Sequence, residues 1–286
     1  MFESSADIGG DAIIGTKLAI HGGLHLYSSL PEKEQTFARK CIAYRDKRVG
    51  NPKAEQKLRL GDIFFGRTPA KLSLASFTAL HIFPAGAFDE TSACDLETLW
   101  EDEALLDELN AWEPATNWRP AWRLERRFNS DGMLLFFEKI DYCQQYIQFH
   151  HSGIIEAVDH ELHDWTLQHS RVIPAHHWEE GVLSILPPLL KALKRIGGTN
   201  PAGICISLRD ELEYASLSYE DIKERREIAP GRDRLGIREG LLTLPFTMLS
   251  DFEEDLSVLM KPCFDALARA GGFPGSPRYA QRKANS

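Results

Sequence analysis

The stretch Trp122 to Asp159 constrains the fold most, because its residue alternation and turn chemistry describe an antiparallel meander. Trp122, Leu124, Arg126 and Phe128 alternate with Arg123, Glu125 and Arg127. Asn129-Ser130-Asp131-Gly132 then breaks the run, and the Asp-Gly pair suits the positive φ of a hairpin turn. The chain returns through Met133 to Phe137, turns near Asp141 and continues from Gln144 to His150. With a period of two, Gln144, Tyr146, Gln148 and His150 share one face and Gln145, Ile147, Phe149 and His151 the other. A further turn at Ser152-Gly153 leads into Ile154-Ile155-Glu156-Ala157-Val158. Several short strands joined by tight turns predict one connected sheet, since an isolated hairpin is marginal in water.

The other elements read as cover and extension for that sheet. Ser29-Leu30-Pro31-Glu32 offers a serine cap, an early proline and acidic first-turn residues, which predicts a helix running to Val49 and stopped by Gly50-Asn51-Pro52. Such a helix groups Phe37, Cys41, Ile42 and Tyr44 or Arg45 near one face, and leaves Arg39, Lys40, Lys47 and Arg48 largely elsewhere. Phe77 to Phe83 alternates up to Pro84 and predicts a strand, with His81 inside it as a hydrogen-bonded core residue. Leu96, Leu99, Trp100, Glu103 and Leu106 have helical spacing, whereas Trp112, Trp118 and Trp122 sit among prolines and suggest an aromatic loop packed on the sheet. Trp178 to Ile196 carries a helical stripe of leucines, interrupted by Pro187-Pro188, where a kink or a division is expected.

Gly203 to Leu208 and Leu212 to Leu217 read as a strand pair around Arg209-Asp210-Glu211. Tyr219 to Arg238 suggests a solvated helix and loop, and Leu241 to Met248 a last strand with Pro245 at an edge or exit. A final helix is expected over about Phe252 to Arg269. Because strands cluster in hairpins and do not alternate with helices, the expected class is α+β: a mainly antiparallel meander sheet covered by helices. The expected organisation is an irregular Gly- and Ser-rich arm over residues 1–35 and a single α+β domain over residues 36–286.

Composition excludes some functions and leaves others open. No apolar run approaches the roughly 18 residues of a membrane span, and acidic residues stand where a secretory leader would be basic, so a cytoplasmic address is expected. The five cysteines are dispersed without a Cys-x-x-Cys, which indicates buried thiols and neither a disulfide framework nor a cysteine zinc site. No phosphate-binding glycine loop and no G-x-S-x-G elbow occurs, so nucleotide and serine-nucleophile chemistry lack a motif and no cofactor is expected.

The formal charge of -9 opposes nonspecific binding to a polyanion, but it is unevenly spread. Between Phe37 and Ala75 stand ten basic and three acidic residues, and between Asp89 and Glu113 ten acidic and no basic ones. The plain reading is that the two blocks are solvated or face each other. The functional reading makes Arg39, Lys40, Arg45, Lys47 and Arg48 contacts for a partner protein or nucleic acid.

Seven of the ten histidines fall between His150 and His177. Imidazoles there, with Glu156 as an oxygen ligand, would suit a metal-dependent hydrolase or nuclease. The spacing does not complete a site: His160-Glu161-Leu162-His163 is one residue short of H-E-x-x-H. His160, His163 and Glu156 therefore stand as the alternative metal set, and catalytic residues stay unassigned.

Four places together resemble the C-terminal half of bacterial Schlafen-like proteins that carry an AlbA-type DNA- or ATP-binding domain. They are Leu80-His81-Ile82-Phe83-Pro84, Asp131-Gly132-Met133-Leu134, Tyr146-Ile147-Gln148-Phe149 with Gly153-Ile154-Ile155-Glu156, and Lys261-Pro262-Cys263-Phe264-Asp265-Ala266-Leu267 with Gly272-Phe273-Pro274-Gly275-Ser276-Pro277. The similarity spans most of residues 35–278. In that family the nucleic-acid or nucleotide assignment belongs to an N-terminal domain with a glutamate-rich signature that this chain lacks; Gly9-Gly10-Asp11 is a faint echo of its glycine turn. The resemblance therefore implies an accessory interaction module of a regulatory or defence system, with a protein partner, nucleic acid as a further partner and homo-oligomerisation left open.

Overall fold

The computed structural model describes residues 30–49, 69, 77–89, 93–110, 125–139, 142–159, 165–167, 170–209, 213–215, 234–236 and 241–279. Its centre is an eight-stranded, wholly antiparallel sheet. The strands are β1 (Phe77–Pro84), β2 (Glu125–Asn129), β3 (Gly132–Lys139), β4 (Tyr142–His150), β5 (Ile155–Asp159), β8 (Ala202–Arg209), β11 (Leu241–Thr243) and β12 (Thr247–Leu249). Their order is β11-β8-β1-β5-β4-β3-β2, with β12 also paired to β8. The meander supplies β2 to β5, and β1, from earlier in the chain, lies between β5 and β8. A second sheet of four short strands has the order β10-β9-β7-β6, from β6 (Trp165–Leu167), β7 (Ser170–Pro174), β9 (Glu213–Ala215) and β10 (Arg234–Gly236). The protein is an α+β fold, as the clustering of hairpin signals implies.

The β2–β3 turn shows how local sequence fixes register. Asn129 Oδ1 accepts the backbone N–H of Asp131 at 2.9 Å and of Gly132 at 3.0 Å, closing the turn from its own side chain. Gly132 has φ of 146°, and a Cβ there would lie 2.0 Å from the Phe149 carbonyl oxygen, so only glycine fits. With that register set, Leu134, Tyr146, Gln148, Glu156, Val158, Ala79, His81 and Phe83 fall on one face; Met133, Leu135, Ile147, Phe149, Ile155, Ala157, Leu80 and Ile82 fall on the other.

Each face carries helices. Helix α1 (Glu32–Val49) lies on the first, burying Ala38, Cys41, Arg45 and Val49 at i, i+3, i+7 and i+11. The second face carries the main core with α2 (Leu96–Trp100), α3 (Glu103–Asn110), α4 (Ala175–Arg195), α5 (Leu256–Leu259) and α6 (Lys261–Ala270). Trp178 of α4 is fully buried, donates from its indole N–H to Thr78 Oγ1 at 3.0 Å and meets Phe264 of α6 edge to face.

Several expectations are corrected. Of the kink or division expected at Pro187-Pro188, the division does not occur: both lie inside one continuous α4, where apolar packing on Ile185, Leu186, Leu189 and Leu190 holds the helix although the carbonyls of Leu183 and Ser184 lose their amide donors. The stretch after Arg209 does not fold back on β8; β9 pairs with β7 in parallel and with β10, because β8 already has β1 on one side and β11 and β12 on the other. The last strand is two strands separated at Leu244-Pro245-Phe246, and the final helix is two helices meeting at Met260, with Pro262 in the first turn of α6. Residues 32–35, placed in the irregular arm by the domain boundary but in a helix by the initiation signal at Pro31-Glu32, form the first turn of α1. The expected aromatic loop at Trp112, Trp118 and Trp122 lies outside the described residues, as does most of Tyr219 to Arg238, apart from β10.

Candidate functional site

The most concentrated polar chemistry lies beneath α1. Pairing sets His81 of β1 opposite Glu156 of β5, and Glu156 opposite Gln148 of β4, all on the α1 face. Tyr146 sits one residue pair along β4 on the same face. The C-terminal turn of α1 brings Arg48 down onto this row.

Glu156 is fully buried, and each of its oxygens accepts two hydrogen bonds. Arg48 binds it as a fork, Nη2 to Oε1 and Nε to Oε2, both at 2.7 Å. Tyr146 donates its hydroxyl to Oε1 at 2.7 Å, and His81 Nε2 lies 3.0 Å from Oε2. Burial by itself would raise the carboxyl pKa, but the guanidinium and the imidazole hold it well below the ordinary carboxylate range. Because the group is a carboxylate and can only accept, Nε2 of His81 carries the hydrogen. His81 Nδ1 is buried without a partner, and so is the hydroxyl of Ser207, which lies diagonally across the β1–β8 pair on the same face.

The outer edge of the cluster is Tyr44 and His150. Their hydroxyl and Nε2 are 3.5 Å apart, and the Tyr44 ring meets the rings of His81, Phe83 and His150 edge to face. Burial, with Arg48 and His81 nearby, keeps the His150 pKa below its ordinary value against the pull of Glu156. Asn129 donates to Gln148 Oε1 at 2.7 Å, which ties the β2–β3 turn into the same row. Cys41 and Cys205 close it at the α1–β8 side; burial pushes the Cys205 thiol up to about 12, and Cys41 is raised still further. Neither forms a thiolate near neutral pH, so they act as packing.

This arrangement holds a charge in place; it does not expose one. His81, Glu156 and Ser207 are all at 0% exposure, and His81 makes no hydrogen bond to Ser207, so the three do not form a nucleophile–base pair. A bidentate Arg–carboxylate contact with two added donors fixes the position of α1 on the sheet.

The structure separates the five basic residues singled out by charge. Arg48 is committed to Glu156, and Arg45 is buried, with Nε and Nη2 on Asp46 Oδ1 at 3.0 and 2.8 Å and Nη1 on the Leu244 carbonyl at 3.5 Å. Truncating Arg48 would therefore strip a buried carboxylate and not merely remove a surface charge. Arg39, Lys40 and Lys47 are exposed, and with Lys33, Thr36 and Ala43 they line the outer face of α1. Lys40 Nζ stands 5.8 Å from the Phe88 ring centroid. Lys33 and Lys47 form no ion pair among the described residues.

The part of the acidic block carried by Leu96 to Asn110 does not face this helix. Leu96, Leu99, Leu105, Leu106 and Leu109 belong to the main core, so α2 and α3 lie on the opposite side of the sheet from α1. Their carboxylates find other cations: Glu103 with Arg126 at 2.7 Å, Asp102 with Arg195 at 3.3 Å, and Glu108 with Lys191. Of the alternative metal set, Glu156 is occupied as described, and His160 and His163 lie outside the described residues. Among the described residues no group of three or more metal-ligating side chains is poised around a common point.

What sequence reasoning missed was the convergence on Glu156. The signal was present: a glutamate inside the apolar run Ile154-Ile155-Glu156-Ala157-Val158 and a histidine inside Phe77 to Phe83 each require a buried partner. No helix among the described residues is long and apolar enough to cross a membrane. Comparison of the chain with family models, curated proteins and solved structures finds no match.

Proposed function

We propose that this chain is a noncatalytic interaction module that receives an acidic protein partner on the outer face of α1. The observation that carries the reading is the exposed stripe Lys33, Arg39, Lys40 and Lys47, about 21 Å long at the rise of an α-helix, on a helix pinned from below by Arg48 and Glu156. A helix whose underside is fixed by a buried ion pair presents its outer cations with little rearrangement, which lowers the ordering cost of docking. The formal charge of -9 weighs against an extended polyanion in favour of a local acidic surface. The motif resemblance adds a setting, an accessory part of a Schlafen-like regulatory or defence system acting in the cytoplasm, whose partner would be encoded beside this gene.

The test is crosslinking capture in cells that encode the chain, comparing wild type with the combined charge reversal of Arg39, Lys40 and Lys47 to glutamate. One acidic protein captured by wild type and lost from the variant is expected; capture unchanged by the reversal would remove the α1 face from consideration. In parallel, duplex DNA and RNA are titrated at low salt. A flat response is expected, whereas binding that weakens steeply with salt, with a log–log slope of about 0.9 per phosphate contacted on duplex DNA, would replace the protein partner with nucleic acid. Alanine at Arg39, Lys40 and Lys47 would then lower that slope by roughly three units.

A further inference from the structure

A second buried carboxylate lies on the other side of the sheet, in the first turns of α4. Glu179 is at 0% exposure, and among the described residues neither of its oxygens has a hydrogen-bond partner. The segment after α6 closes over it. Gly272 has φ of 85°, and the segment beyond it meets α6 at Asp265 through Ser276 and α4 at Glu180 through Arg278. That segment is tied down at several points: Phe273 N–H to the Ala268 carbonyl at 2.9 Å, Ser276 N–H to Asp265 Oδ1 at 3.0 Å, and Tyr279 O–H to the Ser257 carbonyl. Tyr279 also stacks on Phe264 with ring centroids 6.4 Å apart. Ser276 of that segment is buried at 2% exposure, its hydroxyl makes no hydrogen bond among the described residues, and it is near enough to the Glu179 carboxyl to favour the charged form. An ionised carboxylate beneath a lid is costly even with one serine hydroxyl able to donate to it, and a neutral carboxyl in the same place costs far less.

We propose that residues 273–279 form a pH-gated strap, closed while the buried Glu179 carboxyl is neutral and loosened when it ionises. The groups around the carboxyl are those of three elements. On α4 these are Glu180 and, paired with it at 3.4 Å, His176. On α6 they are Asp265 with its cations Lys261 and Arg269. On the strap itself it is Arg278, whose Nη1 stands 3.9 Å from Glu180. Burial outweighs the favourable Ser276 and Arg278 and pushes the Glu179 carboxyl up to about 7, with Asp265 and Glu180 adding to the rise. The folded-state value is raised, so the contribution of the closed strap is complete below the ordinary 4.5 and is lost as pH rises towards about 7. Opening uncovers the edge where Phe264 meets Trp178, an apolar surface otherwise sealed by Tyr279.

The experiment is hydrogen exchange of the full chain from pH 5.5 to 8.5, corrected for intrinsic exchange and read at the amides of residues 273–279. In wild type, protection is expected to fall by roughly tenfold to a hundredfold between pH 5.5 and about 7 and to level off above that. Glu179→Gln, neutral at every pH, is expected to keep the strap protected at pH 8.5. Arg278→Gln removes a charge that favours ionisation, so its midpoint is expected to move upward. Glu180→Gln, which breaks the His176 pair, is expected to leave the pH response in place. Wild-type protection that ignores pH, loss in Glu179→Gln equal to that in wild type, an Arg278→Gln midpoint that stays or falls, or a response abolished by Glu180→Gln would each overturn the proposal.

Discussion

Glu156 and Glu179 are both removed from solvent, one beneath α1 and one on the α4 side of the sheet, yet their surroundings set opposite charge states. For each, desolvation is the largest influence and favours the neutral acid. At Glu156 it is overcome by Arg48, His81 and Tyr146, whose donors occupy both oxygens. At Glu179 both oxygens are orphaned, and Arg278 has its Nη1 near Glu180. Burial therefore does not decide what a buried acid is for; the donors aimed at it do. A satisfied carboxylate locks two elements together, and an unsatisfied one makes its region sensitive to pH.

The sharpest way to break this comparison is Glu156→Ala. It leaves Arg48 and His81 without their acceptor, and a loss of about 3–5 kcal/mol in denaturant unfolding is expected. A loss below about 1 kcal/mol would show that the pair contributes little to holding α1. The opposite sign is expected for Glu179→Gln: at pH 8 it should stabilise by about 1–3 kcal/mol, because it removes an ionised group with no hydrogen-bond partner, and at pH 5 the gain should vanish.

The pH profile of the melting temperature sharpens the contrast further. Glu156, with its value depressed, contributes stability above 4.5 that is lost as pH falls below it; Glu179, with its value raised, contributes stability below 4.5 that is lost as pH rises towards about 7. An acid limb that disappears in Glu156→Gln and a limb between pH 5 and 7 that disappears in Glu179→Gln are the expected results. Tyr146→Phe removes one of four hydrogen bonds to an ionised group and is expected to cost about 1.5–3 kcal/mol in the same unfolding assay. The smallest effect is expected at Lys47→Ala, within about 0.5 kcal/mol, since its side chain is exposed and makes no ion pair among the described residues. A larger loss at Lys47 would mean that the outer face of α1 is structural and not presented to a partner.

The sequence by itself determined the elements whose signals are local. Alternation placed Tyr146, Gln148 and His150 on one face, the Asn129 to Gly132 run supplied its own turn bonds, and Pro31 with the acidic Glu32 and Glu34 marked the start of α1, because these effects act over two to four residues. Tertiary structure decided what depends on distant neighbours. Helical spacing placed Arg48 away from the apolar stripe of α1, but a carboxylate over a hundred positions later, which must not stay buried alone, drew it inward. Pro187 and Pro188 read as a kink or a division, yet α4 runs undivided through them, with buried apolar residues on both sides. The segment after β8 read as the second arm of a hairpin, but β8 had no free edge to offer it. Glu156 and Glu179 differ for the same reason: Glu156 stands between Ile155 and Ala157 and Glu179 between Trp178 and Glu180, and which of them is held charged follows from the donors that the fold brings within about 3 Å, which no local pattern encodes.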